Sequence, residues 1–257
     1  MTDLQIDPRR HLNINGSYNI RDLGGYKTLD GKVTRWKSFL RSDDLHLLPP
    51  SSQSTLLEYG LTTIVDLRRP DELKEKPNVF KNSPQVKYQN YDLAGDTENP
   101  TYPSEISNTS TSFTRVNFSQ YYHWIDHRQG EICSILSTLA SPDVRTGLFH
   151  CAAGKDRTGM IAAILLGIAR VPIETIIEDY GLTARFLFEA DRSKRIESGE
   201  DVSNYTWQDY RRLDCPPNEM LKVLQYIQTK YGGFEKYSRT IGLNDKQIKD
   251  LRNHLVE

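Results

Sequence analysis

The sequence has little of what membrane-spanning or secreted proteins need. Its longest apolar run, residues 160–169, is about half the length of a bilayer-spanning helix. The polar residues 1–16 contain no apolar region of the kind found in a secretory signal. Its three cysteines, Cys133, Cys151 and Cys215, are an odd number without the spacing of a disulfide framework. We therefore expect no integral membrane segment and a reducing, cytoplasmic setting.

An excess of charge of either sign is also missing. The 33 lysines and arginines are balanced by 34 acidic residues, which gives a net charge of −1. Without a basic excess, we expect no nucleic-acid partner. His123 and His127 are four residues apart, but no further ligands stand near them at metal-binding spacing. We expect no metal and no cofactor.

The chain contains no internal repeat, low-complexity linker or break in composition, and 37% of its residues are hydrophobic. It therefore has enough apolar residues for a core, and one domain over residues 1–257 is the better interpretation. Apolar, β-branched stretches predict strands at residues 61–67, 86–91 and 146–150. Amphipathic stretches predict helices at residues 51–59, 116–139 (two helices, separated at Gly130), 159–169, 219–231 and 244–255. This alternation indicates a single α/β domain with a central, largely parallel sheet flanked by helices.

One ten-residue stretch carries the chemistry. Residues 150–159 read HCAAGKDRTG and lie between a predicted strand and an apolar helix. In such a turn, the N–H groups of residues 152–157 can enclose a tetrahedral oxyanion at a helix N-terminus, and Arg157 can bind two of its oxygens. The same positive field favours a Cys151 thiolate, placed for in-line attack on bound phosphate. We call residues 151–157 the cysteine loop. Its expected substrate-binding residues are Ala152, Ala153, Gly154, Lys155 and Thr158.

Each neighbour of Cys151 has a task in this interpretation. His150 holds the loop through its ring nitrogens, since a thiolate that is already formed needs no base. Lys155 adds positive charge toward a polyanionic substrate. Thr158 donates its hydroxyl to the sulfur when the sulfur leaves. Asp156 is the acid within the turn, and a leaving alkoxide or phenoxide needs a proton.

Other types of binding site also use glycine-containing loops or cysteines, but residues 150–159 match them less well. The loop is not a nucleotide-binding Walker loop, because Asp156 follows Lys155 where Ser or Thr is required. With one cysteine in the turn, it is not a zinc site. Two alternatives from other classes stay open. One is a non-catalytic phosphate-binding module, and the other is a different thiol enzyme such as an arsenate reductase or sulfurtransferase.

The pattern HC-x-x-G-K-D-R-T-G, together with NIRDLGGY at residues 19–26 and VDLRRPDE at residues 65–72, resembles the tyrosine phosphatase family 3 group. The resemblance implies a protein-tyrosine-phosphatase-like fold and a cysteinyl-phosphate intermediate on Cys151, with Arg157 binding phosphate and no metal. It also implies a phosphorylated protein as substrate, carrying phosphotyrosine and sometimes phosphoserine or phosphothreonine. A phosphoinositide or inositol phosphate is the alternative substrate. The resemblance also implies a general acid within the loop, here Asp156, and Asp92 after the second strand is the alternative acid.

Four further charged or polar segments lie outside the cysteine loop, and each is given an interpretation from its sequence. Arg21 and Asp22 are interpreted as a structural salt bridge that holds the N-terminal segment, with contact to the active site as the alternative. The charged residues of VDLRRPDE, at the end of a predicted strand, are interpreted as a structural ion-pair network, with contact to the substrate as the alternative. Residues 94–114 and 191–217 are charged or polar with few large apolar residues. Both are predicted to be surface loops near the active site.

Overall fold

The computed structural model describes residues 6–95 and 119–257. Within these residues it contains five strands: β1 (Arg21–Asp22), β2 (Phe39–Ser42), β3 (Leu61–Asp66), β4 (Lys87–Asn90) and β5 (Thr146–His150). The helices preceding β5 are α1 (Pro50–Tyr59), α2 (Pro70–Glu75), α3 (Ser119–His127) and α4 (Gln129–Leu139). Those that follow it are α5 (Asp156–Ile168), α6 (Ile173–Glu197), α7 (Trp207–Asp214), α8 (Pro217–Tyr231), α9 (Phe234–Thr240) and α10 (Asp245–Leu255).

The strands form one sheet in the order β1-β2-β5-β3-β4, and only the edge pair β1–β2 is antiparallel. The predicted α/β class with a largely parallel sheet is confirmed. At the carboxyl end of the sheet, His150 of the central strand pairs in register with Ser42 on one side and Asp66 on the other. Three connections therefore leave the sheet at one place, where parallel α/β sheets position their binding groups.

The sheet separates two apolar clusters, because successive strand residues point to opposite faces. Phe39, Val65 and Phe149 lie in the larger cluster, together with α4, α5 and α8. Leu40, Ile64 and Leu148, their neighbours along the same strands, lie in the smaller cluster with residues of α1. Burial on both faces explains why these strands have continuous apolar stretches instead of alternating ones.

The prediction of a loop over residues 191–217 is wrong for most of that range. Helix α6 continues to Glu197, and α7 covers Trp207–Asp214. The last turns of α6 are stabilised by charges, since Asp191 and Arg195 form an i,i+4 ion pair at 2.6 Å. Helix α7 begins with a capping box in which Thr206 accepts a hydrogen bond from the Asp209 N–H. Polar composition was therefore a poor indicator of loop structure here.

The boundaries of the other helices differ less from those predicted from the sequence. The two helices predicted over residues 116–139 are present, but they separate at Arg128, and Gly130 lies inside α4. Helix α5 begins at Asp156, three residues before the predicted start at Gly159. The other predicted loop, residues 94–114, lies outside the described residues except for residues 94–95. Within the described ranges, no helix combines the length and apolar character needed to span a bilayer.

Candidate active site

The cysteine loop connects the central strand β5 to helix α5. Cys151 follows the last strand residue and is 2% exposed. Asp156 and Arg157 form the first turn of α5, so both lie where a helix has unpaired N–H groups and partial positive charge. The sequence thus brings a buried thiol and a helix N-terminus together across five residues.

The backbone carbonyls of the cysteine loop accept hydrogen bonds from the N-terminal part of the chain, on the side that we call the back of the loop. The Asp44 N–H donates to the Ala152 carbonyl at 3.0 Å, and the Asn19 amide donates to the Ala153 carbonyl at 3.0 Å. The Arg41 guanidinium donates to the Gly154 carbonyl at 2.8 Å. A trans peptide points its N–H away from its carbonyl, so the N–H groups of residues 153–155 face the opposite side. Within the described residues, these N–H groups bond to no protein acceptor.

Gly154 is required by the closeness of the loop to β2. Its φ of +65° lies in the left-handed region, and a Cβ there would lie 2.4 Å from the carbonyl oxygen of Ser42. Only glycine allows both this conformation and this approach. The approach lets side chains from β2 reach the loop carbonyls.

Buried charges lie behind the loop. Arg21 and Arg41 are fully buried, and both are paired with Asp179 of α6, at 3.4 Å and 2.5 Å. Burial would raise the pKa of Asp179, but the two arginines outweigh it and lower that pKa to about 2. Asp179 thereby neutralises the guanidinium that holds Gly154. The structural interpretation of Arg21 agrees with this, although its partner is Asp179 and not the adjacent Asp22.

Arg157 is held by a carboxylate from the next connection of the sheet. Its two terminal nitrogens donate to the two oxygens of Glu72 at 2.6 Å and 2.8 Å, and one of them also donates to the Leu67 carbonyl at 3.3 Å. Burial alone would lower the pKa of Arg157, but Glu72 and the neighbouring Cys151 raise it above its ordinary value. Glu72 belongs to VDLRRPDE, so the ion-pair interpretation of that segment fits its geometry. What the sequence did not indicate is that the partner is the arginine of the cysteine loop.

His150 lies in a buried polar network at the end of β5. Its Nδ1 is 3.1 Å from the Cys151 carbonyl oxygen, and its Nε2 is 2.9 Å from the Asn78 side-chain nitrogen and 3.2 Å from Asp66 Oδ2. Asp66 also accepts two hydrogen bonds from the Arg68 guanidinium, at 2.9 Å and 2.7 Å. Burial would raise the pKa of Asp66, but His150 and Arg68 hold it well below its usual range. This network fixes the ring that precedes the nucleophile candidate.

Asp156 lies at the mouth of the loop, in a cavity of about 250 Å³ that it lines together with Arg157 and Trp124. Its Oδ1 accepts a hydrogen bond from the Tyr121 hydroxyl at 2.8 Å, and its Oδ2 is 3.7 Å from the Lys155 amine. The carboxylate remains 32% exposed. It can therefore exchange a proton with a molecule in this cavity.

Asp92, the alternative acid, is engaged differently. Its carboxylate accepts a hydrogen bond from the Gly95 N–H at 2.9 Å and closes a local turn, while its carbonyl accepts one from Arg128 at 2.7 Å. Ala94 and Gly95 line the same cavity as Asp156, but Asp92 is not in its wall. The two candidate acids are therefore distinguished by access to that cavity.

Lys155 and Thr158 complete the loop. Burial would lower the pKa of the Lys155 amine, but Asp156 and other nearby acidic groups raise it. The Thr158 hydroxyl is fully buried and has no hydrogen-bond partner within the described chain. A buried donor without a partner is costly, which favours a role that appears only when a reacting group is present.

The structure offers no metal-binding arrangement in residues 6–95 and 119–257, where no three His, Cys, Asp or Glu side chains are grouped to hold an ion. His123 and His127 share one face of α3, with ring centroids 4.9 Å apart. His123 lines the Asp156 cavity. Burial lowers the pKa of His123, and the neighbouring His127 and Arg128 lower it further.

A sequence model described as "Tyrosine phosphatase family" matches residues 12–257. A tyrosine-protein phosphatase of Nostoc commune is 29% identical over 222 residues, which cover 85% of this chain and 74% of that protein. The triple specificity protein phosphatase PtpB of Mycobacterium tuberculosis is 23% identical, with 94% of this chain and 97% of that protein covered.

Among solved structures, a cysteine-to-serine variant of P. aeruginosa TpbA in complex with pTyr aligns at 15% identity with a TM-score of 0.37. The alignment covers 84% of this chain and 97% of that one. The family model spans nearly the whole chain, including the cysteine loop and the residues that fasten it. The chain belongs to the tyrosine phosphatase family and is a protein tyrosine phosphatase.

Proposed function

We propose that this phosphatase acts through a cysteinyl-phosphate intermediate on Cys151. The observation that carries the proposal is the fastening of the cysteine loop, whose carbonyls are bonded from behind by Asp44, Asn19 and Arg41. Each N–H of residues 153–155 points away from the bonded carbonyl of its own peptide group, next to the N-terminus of α5. Donors fixed before the substrate arrives need no reorganisation when charge develops on the phosphoryl oxygens.

In the first step, the Cys151 thiolate attacks phosphorus and forms the S–P bond while the bond to the leaving oxygen breaks. The loop N–H groups and the Arg157 guanidinium hold the three equatorial oxygens. The bidentate contact with Glu72 supports this role, since it fixes the plane of the guanidinium. Substrate binding then loses little side-chain entropy at Arg157.

Asp156 protonates the leaving oxygen in this proposal. Its partial exposure in the cavity that Arg157 also lines supports the assignment. The Tyr121 hydroxyl occupies Oδ1, which leaves Oδ2 to carry the proton. Asp92 is the weaker candidate, because its carboxylate already accepts the Gly95 N–H and lies outside the cavity wall.

In the second step, water attacks phosphorus, the S–P bond breaks and the sulfur departs as a thiolate. Asp156, deprotonated by the first step, takes a proton from this water. The Thr158 hydroxyl donates to the departing sulfur, a role supported by its burial without a protein partner in the described residues. No metal takes part in either step.

Phosphotyrosine in proteins is the proposed substrate, with phosphoserine and phosphothreonine accepted at lower rates. The triple specificity of the mycobacterial relative supports a range wider than phosphotyrosine. A phosphoinositide is the second candidate, favoured by the cation of Lys155 beside the loop. That amine is 3.7 Å from Asp156, however, and in its ionised state this carboxylate reduces the attraction of Lys155 for a second phosphate.

A reducing compartment suits this chemistry, since the nucleophile must stay unoxidised. All three cysteines, Cys133, Cys151 and Cys215, are free thiols in the structure. Their unpaired state supports a cytoplasmic setting for the enzyme.

The mechanism is tested with aryl phosphates of different leaving-group pKa. We expect Cys151→Ser to abolish turnover of p-nitrophenyl phosphate and a chelator to leave wild-type turnover unchanged. Asp156→Asn should slow phenyl phosphate far more than p-nitrophenyl phosphate, because protonation limits the rate only for a poor leaving group. Asp92→Asn is the matched control and should slow both substrates equally. Turnover that survives Cys151→Ser would refute the intermediate, and a leaving-group effect confined to Asp92→Asn would move the acid.

A further inference from the structure

A second cavity lies against the other end of the cysteine loop. Its volume is about 600 Å³, and Ala152 and Ala153, the two residues after Cys151, form part of its wall. The smaller cavity is lined by Asp156 and Arg157 instead. The two cavities therefore adjoin the same loop, one near its beginning and one near its end.

Exposed apolar side chains line the larger cavity. Tyr18 is 55% exposed and Leu47 is 64% exposed, and both belong to its wall. Tyr18 is fixed in place by its N–H, which donates to Asp43 at 3.0 Å, and by its carbonyl, which is 3.0 Å from His11 Nε2. Single exposed apolar residues are ordinary, but two that line a concave site favour binding of an apolar group.

The charges of the cavity disfavour a polyanion. Among the described residues, five acidic residues and two lysines line it. Asp44 and Asp191 are offset by Arg68 at 2.8 Å and Arg195 at 2.6 Å. Asp43 is held by backbone N–H groups and forms no ion pair in the described chain. An inositol phosphate placed here would meet carboxylates, whereas a polypeptide would not be repelled.

The position of Asp156 at one end of the loop indicates which part of a substrate reaches the larger cavity. The leaving oxygen must lie within hydrogen-bond reach of Asp156, so the phosphotyrosine ring belongs at the Asp156 end of the loop. The polypeptide continues from that ring across the mouth of the site at up to about 3.5 Å per residue. Ala152 and Asp156 are four residues apart in the loop, which is at most about 14 Å, and a side chain about three residues from the phosphotyrosine covers a comparable distance.

We propose that this cavity is a subsite for the polypeptide flanking the phosphotyrosine, and that it takes an apolar side chain within about three residues of it. The inference rests on the proposed function, since it assigns the leaving group to the Asp156 end of the loop. It names the class of substrate as a phosphotyrosyl protein with an apolar flank. Tyr18 and Leu47 are its specificity-determining residues.

The test compares phosphopeptides that differ only in their flanks. Leucine, alanine or glutamate is placed two and three residues before or after the phosphotyrosine, and kcat/KM is divided by that for p-nitrophenyl phosphate, which has no flank. We expect the wild-type enzyme to prefer a leucine flank over glutamate about tenfold, the size of a modest apolar contact. Tyr18→Ala and Leu47→Ala should reduce this preference to near unity. Leu29→Ala, a 74% exposed residue outside the cavity wall, should retain it.

Equal kcat/KM for all flanks in the wild-type enzyme would overturn the subsite, as would a leucine preference that persists in both cavity variants. A preference for a soluble inositol phosphate over every peptide would also overturn it. The wild-type peptide series answers the question even if a variant fails to fold. Turnover of p-nitrophenyl phosphate that depends on Cys151 leaves the proposed function intact in each of these cases, so the two failures are distinguishable.

Discussion

Substitution of Gly154 by alanine tests whether the position of the cysteine loop against β2 sets the rate. Two costs follow from the structure. The residue has a φ of +65°, a conformation that costs an L-residue about 1–2 kcal/mol. The added Cβ would also lie 2.4 Å from the Ser42 carbonyl oxygen, and real Cβ contacts are essentially never below 3.0 Å. The loop must therefore move by about half an ångström or more, and a displacement near 1 Å costs about 100-fold in rate.

Gly199 supplies the matched control. Its φ is +79°, but a Cβ there would meet nothing within 4 Å. Gly199→Ala should lose about 1–2 kcal/mol of unfolding free energy in urea and keep its kcat. Gly154→Ala should lose about 1–3 kcal/mol more through overpacking, and its kcat for p-nitrophenyl phosphate should fall between tenfold and 100-fold. If the two variants have the same kcat, the fixed loop does not control the rate.

Three further outcomes are expected. Glu72→Gln should lower kcat/KM for p-nitrophenyl phosphate about tenfold, because Arg157 loses charge-assisted bonds at 2.6 Å and 2.8 Å; an unchanged value would contradict the positioning role. Asp179 has its folded pKa lowered to about 2, so its stabilisation is present above pH 3.8 and is lost as the pH falls toward 2. In urea unfolding, the gap in stability between wild type and Asp179→Asn should therefore shrink by about 2 kcal/mol from pH 5 to pH 2, and a constant gap would refute this. Tyr121→Phe should slow phenyl phosphate several-fold more than p-nitrophenyl phosphate, because Asp156 loses the bond that orients it; equal slowing would indicate a merely structural role.

The positions of strands and helices that have a clear local pattern of apolar residues could be predicted from the sequence. The apolar strands ending at Asp66 and His150 and the helix after the cysteine loop are close to their predicted positions, since burial on both faces of the sheet leaves continuous apolar stretches. The start of α5 was misplaced because Gly159 was treated as a helix boundary. Gly159 is instead a helical residue packed against Tyr180, where a Cβ would lie 3.0 Å from the ring.

The partners of the loop could not be predicted in the same way. Glu72 is 85 positions from Arg157 in sequence, and Arg41 is 113 positions from Gly154. Only the strand order brings them together, and a local pattern carries no information on strand order. The wrong prediction over residues 191–217 had a usable signal, since Asp191 and Arg195 are spaced as an i,i+4 pair.

The bonds behind the cysteine loop have a consequence for how the enzyme acquires activity. Asn19, Arg41 and Asp44 come from the first fifth of the chain, whereas the carbonyls they bind lie beyond residue 150. Contacts between such distant segments form late, because the entropy of closing the intervening chain must be overcome first. During refolding from urea, helical circular dichroism should therefore return before catalytic turnover does. Turnover thus reports completion of the tertiary structure, and a chain that has its helices but has not yet joined residues 19–44 to the cysteine loop would be inactive.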